Sequence, residues 1–118
     1  MKDFKKLLIW EKSHQLTLRI YETTKTFPSF ELYGLTSQLR RAVSSIPTNI
    51  AEGCGKNSDK DFGRYLSIAA GSASEVQYLL ILTRDLKYLE STIIDQLEQD
   101  VIEIKKMLYS LIEKITES

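Results

Sequence analysis

Apolar residues recur at steps of three and four along most of the chain, which is the spacing of amphipathic helices. The last stretch is the clearest, because its apolar positions keep a heptad spacing from about Ile93 to Thr116. The heptad positions are Ile94, Leu97, Val101, Ile104, Leu108, Leu111 and Ile115. Thr92 or Ser91 can cap the start. The pattern predicts one long C-terminal helix.

A second long helix is predicted over about residues 59–89, with Ser58 as its N-cap and Asp61 as a weak capping-box partner. This helix carries two apolar lines rather than one. The first is Phe62, Leu66, Ala69, Ala73, Val76 and Leu80, and the second is Leu79, Leu82, Leu86 and Leu89. Either the helix is central in a bundle and contacts two others, or one line forms a subunit interface.

Two further helices precede these. One covers about residues 4–26 and ends at Phe27-Pro28, because the residue before a proline is disfavoured in the α region. The chain restarts at Ser29 or Thr36 into a helix with the apolar arc Leu35, Leu39, Ala42, Val43, Ile46 and Ile50. The four stretches predict an all-α fold, an antiparallel up-down-up-down four-helix bundle that forms one domain over residues 1–118.

Pro47 lies inside the second of these helices and predicts a kink. It has no N–H for the carbonyl of Val43, so that carbonyl should accept from water or from a nearby donor. Gly53 or Gly55 can adopt the left-handed conformation and end the helix.

A polar stripe runs along one edge of this helix. Its members are Gln38, Ser45, Asn49 and Glu52. Such side chains should hydrogen-bond to a neighbouring helix, because an unpaired buried polar group costs about 1–3 kcal/mol. The small residues within 68–75 should pack against this segment, which makes Glu75 a candidate partner for Asn49, Ser45 or Arg41.

Composition places the chain among ordinary soluble globular proteins. Its 118 residues are 42% hydrophobic and 27% charged, with zero formal net charge, and its longest apolar runs are too short to span a membrane. One cysteine cannot form an internal disulfide, which favours a reducing cytoplasm. Charge is uneven: residues 1–59 carry nine basic and six acidic side chains, and residues 60–118 carry seven and ten.

The chain lacks the residue sets that catalysis needs. Asn49 and Glu52 have no nucleophile or base beside them, and Cys54 has no histidine near it in sequence. His14 is the single histidine and cannot form a metal site alone. We therefore expect no enzyme activity and no cofactor.

Basic residues are the remaining candidates for a function. Arg40 and Arg41 are adjacent, and Lys56, Lys60 and Arg64 flank the predicted turn before the third helix. These five either form surface and intersubunit ion pairs or contact nucleic-acid phosphates. The tyrosines could stack on bases, although helical tyrosines more often line cores and interfaces; they are Tyr65, Tyr78, Tyr88 and Tyr109.

Several short motifs together resemble a known family over about residues 7–80. They are Trp10-Glu11-Lys12, Phe27-Pro28 with Glu31 and Tyr33-Gly34-Leu35, Gln38-Leu39-Arg40-Arg41-Ala42, Ser45-Ile46-Pro47, Asn49-Ile50-Ala51-Glu52-Gly53, Asp61-Phe62 and Gly71-Ser72. The combination resembles the four-helix-bundle proteins encoded in intervening sequences of bacterial 23S rRNA genes, also called S23 ribosomal proteins.

The resemblance implies an antiparallel four-helix bundle that assembles into a ring-like homopentamer. It also implies kinship with the accessory variability protein of diversity-generating retroelements, a basic pentamer that binds a reverse transcriptase and nucleic acid. We therefore expect a non-catalytic binding or scaffold module whose partners are further copies of itself and RNA or a nucleic-acid-processing protein. The alternative is an oligomeric adaptor for other proteins that binds no nucleic acid. Neither function needs a membrane.

Overall fold

The computed structural model describes residues 2–116, in which every regular element is helical. The four α-helices are α1 (Leu8–Thr23), α2 (Leu35–Cys54), α3 (Asp59–Asp85) and α4 (Ser91–Thr116). Three short 3₁₀ turns flank α1, at Phe4–Lys6, Thr24–Thr26 and Ser29–Glu31. The all-α, four-helix prediction is confirmed.

The helices form an elongated bundle of 46 × 22 × 20 Å, in which α1 and α3 each pack against α2 and α4. Side chains from all four helices meet in one core. The fully buried members include Leu16, Ile20, Val43, Ile46, Leu66, Leu80, Ile104 and Leu108. Each such side chain contributes about 1.5–3 kcal/mol by leaving water, so the packing of the apolar faces stabilises the fold.

The heptad spacing of α4 predicts its buried face correctly up to Leu108, after which Leu111 and Ile115 are half-buried. The predicted end of α3 is wrong. The helix stops at Asp85, because Lys87 adopts a left-handed backbone conformation with φ of 62°. The second apolar line of α3 is therefore interrupted: Leu86 is exposed after the helix has ended.

The carbonyl opposite Pro47 has a side-chain donor. α2 continues as a helix through the buried proline, and the hydroxyl of Thr17 in α1 donates to the Val43 carbonyl at 3.3 Å. The same hydroxyl lies 2.8 Å from the carbonyl of Ser13, so its single proton is shared between two acceptors. The prediction of a nearby donor is confirmed, and a bend at Pro47 stays a prediction.

The glycine prediction for the end of α2 is wrong. Gly53 lies inside the helix, and Gly55 has φ of −81°, so neither is left-handed. The helix ends instead on two short-range bonds, from the Gly55 N–H to Glu52 and from the Lys56 N–H to Gly53, both 3.1 Å long. Gly53 is needed for packing, because a Cβ there would lie only 2.9 Å from the Cβ of Tyr65 in α3.

α3 begins as the sequence predicts. The Ser58 hydroxyl accepts a hydrogen bond from the Asp61 N–H at 3.1 Å and caps the helix. Within residues 2–116, α3 is also the one helix that is long and apolar enough to cross a membrane by composition. Core helices of soluble proteins pass the same test, and 44% of its most apolar window is buried in the bundle.

Candidate nucleic-acid interface

The five candidate basic residues do not form one site. Arg40 and Arg41 lie in the first half of α2, whereas Lys56, Lys60 and Arg64 surround the turn between α2 and α3. From Arg41 to Cys54, α2 rises about 20 Å at about 1.5 Å per residue. A single mononucleotide cannot contact both groups.

Arg40 is fixed by three contacts to the end of α1. Its Nε donates to the Thr24 hydroxyl at 2.8 Å, and its Nη2 donates to the Tyr21 carbonyl at 3.3 Å. The guanidinium also lies 4.9 Å from the centre of the Tyr21 ring, a cation–π contact. Arg41 is exposed and forms no ion pair within residues 2–116.

Both arginines line an open depression of about 550 Å³, which we call the arginine–tyrosine surface. Its lining residues are Tyr21, Leu32, Tyr33, Thr36, Ser37, Arg40, Arg41 and Ser44. They supply two guanidinium groups and five hydroxyls but no carboxylate. Tyr33 is 94% exposed, and the neighbouring Phe30 is 78% exposed. The surface can therefore offer positive charge, hydroxyl donors and an open aromatic ring to one ligand.

The second basic group is partly neutralised. Lys56 and Arg64 lie over the same Tyr65 ring, at 5.3 and 4.9 Å from its centre. Arg64 also reaches Asp61 at 4.0 Å. Lys60 lines a depression of about 610 Å³ together with Asp59 and Asp61, whose carboxylates oppose an anion there. This turn is a weaker phosphate site than the arginine–tyrosine surface.

The polar stripe of α2 does not bond to a neighbouring helix as expected. The Ser45 hydroxyl donates to the Ala42 carbonyl at 2.8 Å, and the Asn49 amide donates to the Ser45 carbonyl at 2.7 Å. Gln38 and Glu52 are exposed. Each group satisfies itself within α2 or in water, because the stripe faces outward.

Glu75 lies beside two of the three residues proposed as its partners, Arg41 and Ser45. It lines a depression of about 320 Å³ together with Arg41 and Ser45, and with Gln38 and Ala42. No ion pair joins it to Arg41 in the described part of the chain. The carboxylate and the guanidinium are thus near each other but form no ion pair.

The outward face of α3 carries little charge. From residue 67 to residue 78, its exposed side chains are Ser67, Ile68, Ser74, Glu75 and Tyr78, with Gly71 among them. A Cβ built on Gly71 would meet nothing within 4 Å, so packing within the chain does not require this glycine. The small residues therefore divide: Ala69, Ala70 and Ala73 pack inward, and Gly71 and Ser74 face out.

The remaining candidates for chemistry are placed in structural roles. Cys54 is a buried thiol whose pKa is raised by burial, which disfavours the reactive thiolate. His14 stacks on Trp10 at 5.0 Å. Among the described residues, no cluster of histidine, cysteine or carboxylate side chains could hold a metal ion.

A different carboxylate connects the two turns at one end of the bundle. Glu31 accepts from the Leu35 N–H at 3.1 Å through Oε1, and from the Tyr88 hydroxyl at 2.8 Å through Oε2. Sequence reasoning missed this pair, because the residues are 57 positions apart and neither belongs to a periodic pattern.

Comparisons with known proteins agree with the fold. The sequence pattern of the 23S rRNA-intervening sequence protein family matches residues 5–110. A crystal structure of a protein of unknown function from the S23 ribosomal protein family of Bacteroides thetaiotaomicron VPI-5482 superimposes with a TM-score of 0.81. The two sequences are 29% identical, and the match covers 89% of this chain and 98% of that one. No curated protein matches the chain. Because the family pattern spans most of its length, the chain belongs to the 23S rRNA-intervening sequence protein family.

Proposed function

We propose that the protein is a non-catalytic, self-associating four-helix module that binds RNA or a ribonucleoprotein. The observation that carries self-association is the outward face of α3. An exposed helix face of a monomer normally carries many charges, but here Glu75 is the single charged side chain between Ser67 and Tyr78. A second copy of the chain would cover this face.

The shape of that face supports a protein partner. Gly71 and Ser74 leave room for a neighbouring backbone, and Ile68 and Tyr78, 44% and 59% exposed, supply apolar area on either side. Glu75 lies beside the same face and forms no ion pair among residues 2–116, so its carboxylate is free to pair with another copy. The family resemblance makes a closed ring of five copies the expected assembly.

RNA is the favoured further partner because the family is named for its link to 23S rRNA and because solvent-facing cations are present. Arg41, Lys56 and Lys60 are exposed. Phosphate contacts dominate nucleic-acid affinity, and a ring repeats each weak contact once per subunit. A chain without net charge can bind RNA through such repetition.

Light scattering on the purified protein tests both parts of the proposal. Without RNA, the mass should correspond to two or more copies of the 13.6 kDa chain. Gly71→Gln should reduce the mass to one subunit while preserving helical circular dichroism, because its side chain obstructs the α3 face without clashing inside the subunit. Ser110→Gln, which places the same side chain at an exposed position of α4, should leave the mass unchanged. A wild-type protein of single-subunit mass would refute self-association.

Adding a 23S rRNA hairpin should raise the mass further, and increasing salt should reverse the gain. An assembled protein that binds no RNA at low salt would support the alternative, an adaptor between proteins. One observation favours that alternative: Arg40 and Arg64 are engaged within the subunit, with Thr24 and Asp61 respectively.

A further inference from the structure

We infer that the arginine–tyrosine surface binds single-stranded RNA, with an unpaired base on the ring of Tyr33 and phosphates on Arg41 and Arg40. This inference rests on the proposed RNA binding and deepens it by assigning the site and the strandedness of the ligand. The RNA site is placed at Arg40 and Arg41 and not at the turn between α2 and α3.

The charge of this surface complements a phosphate. In a chain with zero net charge, its lining combines two guanidinium groups with no carboxylate. Thr36 and Ser37 add the first turn of α2, where the positive end of the helix dipole lies. Glu31 is close in sequence but does not line the depression, and both its oxygens accept hydrogen bonds from Leu35 and Tyr88.

The two arginines have different parts in this site. The Nε and Nη2 of Arg40 are used by Thr24 and Tyr21, which hold the guanidinium in place with Nη1 left for a phosphate oxygen. Arg41 is exposed and has no ion-pair partner among residues 2–116, so its fork can bind a phosphate at both nitrogens. Arg41 is therefore the better residue to mutate, since its loss removes no contact to α1.

The aromatic rings decide between single-stranded and duplex RNA. Tyr33 at 94% exposure contributes almost nothing to the core, and Tyr21 is 41% exposed with Arg40 over its ring. Bases in a duplex are stacked on each other and cannot reach a side-chain ring, whereas unpaired bases stack on tyrosine readily. An open tyrosine beside two arginines thus favours unpaired nucleotides.

Fluorescence anisotropy on the full assembled chain tests the inference, with a labelled 12-nucleotide oligouridylate and a 12-base-pair RNA duplex as probes. The single strand should bind more tightly. Tyr33→Ala should weaken its binding about tenfold, and Tyr33→Phe should not, because stacking is kept. Arg41→Ala should weaken binding and make the slope of log K against log salt shallower by about 0.7.

Matched controls are available at distant exposed positions. Tyr109→Ala removes an exposed α4 tyrosine, and Lys5→Ala removes one positive charge before α1; neither should change affinity more than twofold. Light scattering on each variant should show the wild-type mass. A Tyr33→Ala protein of lower mass would assign this surface to contacts between copies and overturn the inference.

The remaining outcomes separate this inference from the proposed function. If the wild type binds RNA but Tyr33→Ala and Arg41→Ala bind equally well, RNA binding stands and this site is wrong. The same holds if the duplex binds as tightly as the single strand. If the wild type binds neither probe nor the 23S rRNA hairpin, the proposed RNA function fails and this inference fails with it.

Discussion

Thr17→Val should destabilise the bundle by removing the hydroxyl that reaches the Val43 carbonyl. Valine keeps the shape of threonine, so little packing is lost. Val43 is completely buried and Thr17 is 9% exposed, which leaves no open route for water to replace the hydroxyl. An unpaired buried acceptor costs about 1–3 kcal/mol. Because the bond is 3.3 Å long and shares its proton with Ser13, we expect a loss near the lower bound, about 1 kcal/mol.

Pro47→Ala should remove that cost, because alanine restores a backbone N–H that can donate to the Val43 carbonyl. Thr17→Val should therefore be less harmful in the Pro47→Ala background than in the wild type. The difference defines a coupling energy of about 1 kcal/mol in a double-mutant cycle. Thr23→Val is the matched control, since the Thr23 hydroxyl donates only within α1, to Ile20 at 3.2 Å.

Urea unfolding followed by circular dichroism measures all four proteins of the cycle. Protein concentration must be equal throughout, because self-association would add to apparent stability. The urea dependence should be the same for each variant if only stability changes. An equal loss from Thr17→Val in both backgrounds would refute the role assigned to the hydroxyl, and a coupling for Thr23→Val would show that the cycle reports something else.

Three further predictions concern single positions. Gly53→Ala should cost about 1–3 kcal/mol in the same unfolding assay, because its Cβ would lie 2.9 Å from Tyr65; an unchanged stability would contradict the close approach. Measured at a protein concentration low enough to separate copies, Gly71→Ala should instead raise stability by about 0.5–1 kcal/mol, since its Cβ meets only open space within the chain, and a loss under that condition would contradict this. The hydrogen bond to Glu31, together with burial, raises the pKa of Tyr88. The stabilisation that this hydrogen bond gives the folded state is therefore present below the unfolded-state pKa of about 10 and is lost as pH rises through the folded-state pKa. Thermal melts from neutral to strongly alkaline pH should show this loss in the wild type and not in Tyr88→Phe; equal alkaline losses would contradict it.

Periodic positions of the fold were predictable from sequence. The apolar spacing of α4 gives its buried face from Ile94 to Leu108, and Ser58 marks the start of α3 by a local hydrogen bond. Both signals act over a few residues, so neighbouring chain segments do not alter them. The sequence predicts that the Val43 carbonyl, which Pro47 cannot bond, needs another donor. That this donor is Thr17 depends on how α1 packs on α2.

Positions outside the periodic pattern were not predictable. Glycines after a helical stretch usually mark a left-handed end, yet Gly53 is selected by the approach of Tyr65 from α3. The stop of α3 at Asp85 follows from the left-handed conformation of Lys87, which no local residue pattern announces. Half of the arginine–tyrosine surface could be predicted. The adjacent arginines are visible in the sequence, but the exposure of Tyr33 depends on the position of the turn before α2 in the folded chain.

The single carboxylate of Glu31 makes two distant turns dependent on each other. One oxygen holds the start of α2 and the other holds Tyr88 beyond the end of α3. Replacing Glu31 or Tyr88 leaves the other without its hydrogen-bond partner, so the two residues should be kept or replaced together. Relatives that have lost the tyrosine should also have replaced the glutamate, and the coupled replacement would mark lineages in which this end of the molecule has been rebuilt.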